Sequence, residues 1–441
     1  MNTIVAISSP IGAGAIHIVR LSGPSALLIA SKIYKPLSLS SLTEAVPRYA
    51  YLGKLSMEGI CDSCIAIFFK GPNSYTGEDI VELQCHGNIH LAYKIVDSCI
   101  SNGATLASKG EFSKRAFLNN KITLAEAEGI LDIISAESTA ELKAASALFD
   151  GSFINLITNL QNSLLEFSSE YETSLDYPDE YDGVLERLRD DIQTFHSQIK
   201  KVLQNSTYGK KIKEGINVCI IGNPNAGKSS LLNAIIGENK AIVTDIPGTT
   251  RDIVSSTIEY KSIKINFFDT AGIRESNDTI EKIGIEKSFS QLKNSDVVIV
   301  LEEQLSPFDL SKIENSISRA KIIRVLNKID SLKEYNSSSF DIAISAKKEV
   351  NIGSLLDLIY NSVIQNNFDS SGTVLTSLRH IEALQNAEKS IASFLMNYNL
   401  VTVDCLILDL KNAFFELGKI TGVSANEEII NNIFERFCVG K

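Results

Sequence analysis

The stretch Gly222–Ser229 has glycine, lysine and hydroxyl residues at the spacing of a phosphate-binding loop. An apolar run at 218–221 precedes it and a helix-like segment at 230–236 follows, so strand, loop and helix come in the order that such loops require. Glycines let backbone amides turn toward phosphates, Lys228 supplies a point charge, and the hydroxyl of Ser229 is placed to bind Mg²⁺. The stretch therefore predicts a binding site for a nucleoside triphosphate.

Four further motifs follow in the order and at the spacing of a GTPase domain. Thr249 and Thr250 lie in a loop that contains glycine and proline, where a threonine can reach Mg²⁺ and the γ-phosphate. Asp269 ends a strand-like run and places a metal-directed carboxylate there, and the amide of Gly272 can sense the γ-phosphate. We therefore predict that Ser229, Thr250 and Asp269 bind Mg²⁺.

The last two motifs select the base. Asp330, in the run Asn-Lys-Ile-Asp, can accept hydrogen bonds from N1 and the exocyclic amine of guanine, a pair of donors that adenine lacks. Ser345–Lys347 follows another apolar run and is expected to pack over the base, so the sequence predicts a GTP site. The predicted GTP-binding residues are Asn225, Ala226, Gly227, Lys228, Ser229, Ser230, Thr244, Asp245, Ile246, Pro247, Gly248, Thr249, Thr250, Asp269, Thr270, Ala271, Gly272, Asn327, Lys328, Asp330, Ser345, Ala346 and Lys347.

The residue at the position that orients the attacking water in Ras-like GTPases is different in this sequence. In Ras-like GTPases a glutamine directly after the Asp-x-x-Gly motif has this role, but the residue here is Ile273, which is apolar. The acidic residues that could replace it are Glu275, Asp278, Glu281 and Glu286. Arg251 and Arg274 lie beside the predicted switches, yet neither is singled out as an arginine finger, so a cation or a partner could supply the positive charge.

Composition bounds the class of protein. The chain has 441 residues with 44% apolar content, enough for two to four domains with real cores. Its net charge of −11 argues against a protein that wraps nucleic acid by itself, so any RNA contact must be local or shared. The sequence shows neither a membrane-spanning run nor a signal-like start, and its seven cysteines are scattered, which predicts a cytoplasmic protein with no membrane partner.

The pattern of apolar residues predicts a multidomain protein of mixed α/β and α+β class. Residues 1–118 read as an α+β domain, with strands at 3–7, 15–20 and 64–69 and a helix at 91–101. Helical periodicity fills 119–211 and returns at 366–441, on either side of a G domain at 212–365. We therefore expect a helical bundle with a Ras-like P-loop GTPase domain inserted in it, so that switch motion becomes bundle motion.

Three stretches outside the G domain make the whole chain resemble a known family, the tRNA modification GTPases called MnmE or TrmE. These are Ala13–Gly23, Gly110–Lys121 and the terminal Cys438-Val439-Gly440-Lys441. The resemblance implies a homodimer whose N-terminal domain mediates dimerisation and binds a one-carbon derivative of tetrahydrofolate, 5-formyl- or 5,10-methylene-tetrahydrofolate. The residues that it places at the folate site are Arg20, Glu82, Lys121 and Lys441.

The resemblance also implies a reaction. Family members add a carboxymethylaminomethyl or aminomethyl group at C5 of the wobble uridine of certain tRNAs. They act together with an FAD-dependent partner called MnmG or GidA, in a heterotetramer. Cys438 looks like a catalytic nucleophile or acid/base in this chemistry, and a structural or tail-anchoring role is the alternative.

For the G domain, the resemblance implies dimerisation across the switches, with K⁺ in place of an arginine finger. By position, the K⁺ ligands would be Asn225, Thr244, Ile246 and Thr249, and Glu281 would position the water. The competing hypothesis is a regulatory GTPase switch in ribosome assembly, which shares the G motifs but needs neither the N-terminal domain nor the Cys-Val-Gly-Lys terminus. A folate-binding module with a vestigial G domain is disfavoured because no G motif is damaged.

Overall fold

The chain forms two compact units in its computed structural model. One unit comprises Met1–Ile134, Ser146–Ser169 and Lys411–Lys441, and the other comprises Ser135–Ala145 and Glu170–Leu410. We call them unit 1 and unit 2. The structure describes residues 2–57, 59–177, 184–238, 256–269, 292–304, 308, 320–332, 334, 339–364, 374–423 and 427–441. Of the helices in these ranges, none has both the length and the apolarity needed to cross a membrane.

Unit 1 contains a seven-stranded sheet in which the strands have the order β3-β4-β5-β6-β2-β1-β7. Neighbouring strands are antiparallel except for β1 and β7, which are parallel. The strands are β1 (Ile4–Ile7), β2 (Ile16–Ser22), β3 (Tyr34–Pro36), β4 (Ala50–Met57), β5 (Ile60–Phe69), β6 (Ile80–His86) and β7 (Thr105–Leu106).

The two faces of this sheet differ because side chains alternate along each strand. Helices α1 (Ala26–Ile33) and α2 (Ile89–Ser101) cover one face, with Val19 and Leu83 among the buried side chains of that core. On the other face, α3 (Glu111–Leu118) covers only the β1 side, through Phe112. The rest of this second face is open, and we call it the open sheet face.

The remaining helices of unit 1 form a small apolar cluster around Phe434 and Phe437. Helix α4 (Leu124–Ser135) packs in it with α13 (Glu427–Phe434). Helices α5 (Thr139–Phe149), α6 (Ser152–Asp176) and α12 (Val403–Thr421) each contribute residues to both units.

Unit 2 is built on a six-stranded sheet of order β13-β12-β11-β8-β10-β9, parallel except for β9. Its central strands are buried on both faces, as expected for a parallel sheet between helices. The strands are β8 (Ile216–Gly222), β9 (Ser256–Tyr260), β10 (Ile263–Asp269), β11 (Val297–Glu302), β12 (Lys321–Leu326) and β13 (Ile342–Ala343).

Helices from both sides of the P-loop strand pack together in unit 2. The helix α7 (Val184–Gln204), which precedes that strand, lies against α11 (Leu378–Asn397), which follows the last strand. The other helices of this unit are α8 (Ser206–Glu214), α9 (Lys228–Glu238) and α10 (Ile352–Val363). The predicted class, α+β and α/β parts with helices, is confirmed, and the predicted domain boundaries stay predictions.

Candidate functional site

The P-loop has the strand–loop–helix geometry that its sequence predicts. It leaves the carboxyl end of β8 and enters α9 at Lys228. A Cβ at Gly222 would lie 2.3 Å from the carbonyl oxygen of Leu301, and a Cβ at Gly227, where φ is +97°, would lie 2.4 Å from Nδ2 of Asn327. Both positions therefore require glycine. Lys228 Nζ donates to the carbonyl oxygens of Gly222 at 2.9 Å and Asn223 at 3.2 Å, so its charge is held over the loop.

Asn327 joins the P-loop to the last motif. Its side chain is buried, with Nδ2 donating to the carbonyl oxygen of Ala226 at 2.8 Å and Oδ1 accepting from the amide of Ala346 at 3.1 Å. The structure thus brings three of the predicted motifs into one site. No periodicity in the sequence indicates this bridging role.

Asp330 is exposed and its orientation is fixed by the neighbouring motif. The hydroxyl of Ser345 donates to Asp330 Oδ1 at 2.6 Å, and this hydrogen bond is the main reason that the pKa of Asp330 lies below its ordinary value. An ionised and oriented carboxylate is what guanine N1 and its exocyclic amine require. Lys328 Nζ donates to Glu303 Oε1 at 2.6 Å, while Lys347 is exposed.

Part of the predicted GTP site lies outside the described residues. This holds for 244–250, 270–272 and Glu281, and for the side chain of Asp269, whose backbone ends β10 beside Ile220 of β8. Of the predicted Mg²⁺ and K⁺ ligands, the structure describes the side chains of Ser229 and Asn225. Both residues are exposed at the P-loop, where a hydroxyl and an amide oxygen are suitable ligands for hard cations.

Unit 1 contains a second concentration of charge, at the border between α3 and the open sheet face. Arg20 on β2 and Glu82 on β6 are cross-strand partners. Glu82 Oε1 lies 2.8 Å from one terminal guanidinium nitrogen of Arg20 and 2.9 Å from its Nε. The rings of Tyr75 and Phe112 each have their centroid 5.8 Å from the guanidinium carbon of Arg20. These two aromatic residues are site residues that sequence reasoning missed.

The terminal segment 438–441 is fixed beside this pair. Val439 forms an antiparallel bridge with Lys109, and the hydroxyl of Ser8 donates to the carbonyl oxygen of Gly440 at 2.9 Å. Gly440 has φ of +102°, and a Cβ there would lie 2.0 Å from the carbonyl oxygen of Ile7. Only glycine fits at this position, because both the backbone conformation and the close approach exclude a side chain.

Two lysines lie near the second site in addition to Arg20. Burial and the neighbouring guanidinium of Arg20 lower the pKa of Lys441, against the opposing effect of Cys438. Lys121 lies beside the Gly77 backbone, since a Cβ at Gly77 would be 3.2 Å from Lys121 Cε. Within the described ranges, neither lysine forms an ion pair. The side-chain cations available to an anionic ligand are therefore Lys441 and Lys121, because the charge of Arg20 is already shared with Glu82.

Other histidine and cysteine side chains of unit 1 lie outside this second site or at its edge. His86 is exposed on the same strand face as Glu82, and its Nδ1 lies 2.5 Å from Asp62 Oδ1. Cys61 and Cys64 lie on opposite faces of β5, the first exposed and the second buried, so they do not form a metal or redox pair. Cys438 is exposed and free.

Comparison with known proteins covers the full chain. Residues 124–438 match the MnmE helical domain, and residues 3–121 match the GTP-binding protein TrmE N-terminus. The chain is 38% identical to tRNA modification GTPase MnmE of Clostridioides difficile (strain 630), over 100% of this chain and 99% of that protein. It is 36% identical to tRNA modification GTPase MnmE of Bacillus subtilis (strain 168), over 100% of both.

Similarity to solved structures is weaker. A variant of Aquifex aeolicus Era bound to GDP·AlF₄⁻ is 26% identical, over 40% of this chain and 66% of that chain. The TM-score of this pair is 0.28, which is too low to support an inference.

Proposed function

The chain belongs to the MnmE family of tRNA modification GTPases, so it hydrolyses GTP and acts on tRNA, and we propose the reaction that it carries out on the tRNA. It adds a carboxymethylaminomethyl or aminomethyl group at C5 of the wobble uridine. The one-carbon unit comes from a tetrahydrofolate derivative, and the reaction is shared with the FAD-dependent partner MnmG. A GTPase that acts only as a switch in ribosome assembly has no need of the second site.

The observation that carries the folate proposal is the Arg20–Glu82 pair with the ammonium of Lys441 near it. A folate has a pterin with hydrogen-bond donors at one end and glutamate carboxylates at the other. Glu82, held by Arg20 at 2.8 Å, is the acceptor for the pterin. Lys441 and Lys121 are the cations that meet the carboxylates, because Arg20 already has a carboxylate partner. The rings of Tyr75 and Phe112 wall the site next to Arg20.

The bound folate would supply a one-carbon unit, and the role of this chain's residues is to hold it and to handle protons. Cys438 lies in the fixed terminal segment and is exposed, so its thiol can meet a substrate as a nucleophile or as an acid/base. The thiol contributes to the electrostatic environment of the Lys441 ammonium, which places the two groups near each other. A purely structural role of Cys438 is the alternative.

We also propose a homodimer through the open sheet face, with a second copy of this chain as its occupant. The register aligns Leu52 with Ile65, Ile65 with Gln84, and Gln84 with Ile18, in one row across four strands. Leu52 is 55% exposed and Ile65 is 37% exposed, and Ile16 nearby on the same face is 57% exposed. Full burial of an exposed large apolar side chain contributes about 1.5–3 kcal/mol, so covering each of these half-exposed side chains would contribute roughly half of that. The row ends at Ile18 on β2, two residues before Arg20.

In the G domain, the proposal assigns Mg²⁺ to Ser229, Thr250 and Asp269. The Asn225 amide, together with Thr244, Ile246 and Thr249, would bind K⁺. Glu281 would position the water that attacks GTP. Asn225 has φ of +66°, so its side chain leaves the P-loop from a left-handed turn that Asn adopts more readily than most residues. Pairing of two G domains across their switches would activate hydrolysis.

Calorimetry with 5-formyl-tetrahydrofolate tests the folate site. Glu82→Ala and Arg20→Ala should each lower the affinity by roughly tenfold or more, because a hydrogen bond to a charged group contributes about 1.5–3 kcal/mol. Lys32→Ala is the matched control, since Lys32 is an exposed cation on α1, which covers the opposite face of the same sheet. Unchanged affinity in both site variants would refute the folate assignment.

Turnover of GTP in K⁺ and in Na⁺ at equal ionic strength tests the G-domain proposal. Strong preference for K⁺, with G domains pairing in the presence of GDP·AlFₓ, is the expected result, and Asn225→Ala should remove the preference. Equal turnover in the two salts would contradict the K⁺ site and make Arg251 or a partner's arginine the next hypothesis.

A further inference from the structure

The hairpin formed by β9 and β10 connects the two predicted switch segments. Strand β9 begins at Ser256, after the segment with Thr250, and β10 ends at Asp269. The turn between them is Lys261-Ser262, with φ of +48° and +68°, as in a tight two-residue hairpin turn. Both ends of this hairpin are therefore attached to segments expected to respond to the nucleotide.

The N-terminal end of α5 contacts this hairpin at several points. The amide of Ala140 donates to the carbonyl oxygen of Ser262 at 3.0 Å. The ammonium of Lys264, on β10, lies 3.0 Å from a carboxylate oxygen of Glu137 and 3.0 Å from one of Glu141. All these residues belong to unit 2, while the last residues of α5 belong to unit 1.

The Lys264–Glu141 pair is largely shielded from solvent, unlike the pair of Lys261 on the same hairpin, whereas Glu137 is 35% exposed. The side chains of Lys264 and Glu141 are 12% and 11% exposed. Burial opposes the charge on Lys264, but the two carboxylates outweigh it and raise the pKa of this lysine. Separating the hairpin from α5 would break both ion pairs of Lys264 and the hydrogen bond from Ala140 to Ser262 at the same time. The hairpin and the start of α5 therefore move together.

We propose that Lys264, with Glu137 and Glu141, couples the nucleotide state of the G domain to α5. A displacement of the hairpin between GDP and transition-state forms is then passed to α5 and along it. These residues are coupling residues and do not contact the nucleotide. The inference uses only GTP binding and hydrolysis, so it stands or falls independently of the folate and K⁺ proposals.

Hydrogen exchange on the full chain tests the coupling. Exchange of α5 amides is measured with GDP and with GDP·AlF₄⁻ in K⁺. In the unaltered protein we expect the two states to differ by roughly fivefold or more, since allosteric couplings of 1–3 kcal/mol correspond to about 5–150-fold. Lys264→Met should abolish this difference while GDP affinity stays within about twofold.

Lys261→Met is the matched control. Lys261 lies in the turn of the same hairpin, but it pairs with Asp357 of α10 at 2.5 Å, with the two side chains 45% and 48% exposed. This variant should keep the difference at α5.

Two additional variants keep the test valid if Lys264→Met does not fold. Glu141→Gln should weaken the α5 response, and the charge reversal Lys264→Glu with Glu141→Lys should restore it in part. Equal α5 exchange in the two nucleotide states of the unaltered protein would overturn the proposal. So would a full response in both Lys264→Met and Glu141→Gln.

Discussion

Replacement of Gly440 by alanine should release the terminal segment from unit 1 without unfolding the unit. The added Cβ would lie 2.0 Å from the carbonyl oxygen of Ile7, and the backbone has φ of +102°. Neither atom of this clash belongs to a flexible side chain, so the segment itself has to move. It then loses the hydrogen bond from Ser8 to Gly440, whose length is 2.9 Å.

The free energy by which Gly440→Ala destabilises the bound segment is the sum of the backbone strain and the lost hydrogen bond. A non-glycine residue in such a backbone conformation costs about 1–3 kcal/mol, and a lost hydrogen bond costs about 0.5–1.5 kcal/mol. The sum of about 1.5–4.5 kcal/mol shifts the equilibrium between bound and released segment by roughly 10- to 2000-fold. The sheet core of unit 1 is untouched, so the thermal unfolding midpoint should change little.

Two measurements on the same protein check this prediction. Hydrogen exchange of the peptide 435–441 should accelerate in Gly440→Ala, and the affinity for 5-formyl-tetrahydrofolate should fall by roughly tenfold or more as the charge of Lys441 withdraws. Val439→Ala is the control, because Val439 is 46% exposed and its backbone bridge to Lys109 needs no particular side chain. Unaltered exchange would refute the steric argument. Faster exchange with unaltered folate affinity would show that Lys441 does not contribute to the folate site.

Three further predictions concern single groups. Asp330→Asn should lower the affinity for GTP by roughly 100-fold or more, because two hydrogen bonds to a carboxylate are lost; competition between GTP and XTP measures this change, and unchanged preference for GTP would contradict it. Glu281→Ala should leave GTP binding intact and reduce turnover by roughly 100-fold or more; near-normal single-turnover rates would return the role to Asp278 or Glu275. The lowered pKa of Lys441 means that its positive charge is lost at a pH below the ordinary lysine value of 10.5; folate affinity should therefore decline as pH rises toward that value, and a pH profile identical to that of Lys441→Ala would show that the charge does not act.

Local patterns predicted the elements that carry the GTP site. The strand and helix around the P-loop are confirmed as β8 and α9, and the predicted helix at 91–101 is confirmed as the larger part of α2. Glu82 and His86 lie on one face of β6, because side chains alternate with period two along a strand. Such features depend on residues close in sequence, so periodicity and spacing suffice to predict them.

Contacts between distant residues could not be predicted in this way. Ser8 and Gly440 are 432 positions apart, and no local pattern connects them. The same applies to the rings of Tyr75 and Phe112 beside Arg20, and to Lys264 beside Glu137. For the terminal segment, a resemblance to a family indicated that Lys441 is important, but the steric reason for the glycine before it required the structure.

In the proposed GTP and folate sites a carboxylate would contact the ligand, and the residue that orients each carboxylate bears on what the site would bind. Ser345 fixes Asp330 with a neutral hydroxyl, so the full negative charge remains available to guanine donors. Arg20 fixes Glu82 with a cation, so this carboxylate is partly neutralised and suits a weakly polar donor edge rather than a second cation.

It follows that Arg20 acts mainly through Glu82. With Arg20 engaged, the proposed site offers an anionic ligand the charge of Lys441, whose pKa is lowered by burial and by the nearby guanidinium of Arg20. Binding of an anion would relieve this repulsion and favour the charged form of Lys441. The loss of affinity in Arg20→Ala therefore reflects a carboxylate that is no longer oriented, and Lys441→Ala is the substitution that removes a direct contact with the anion.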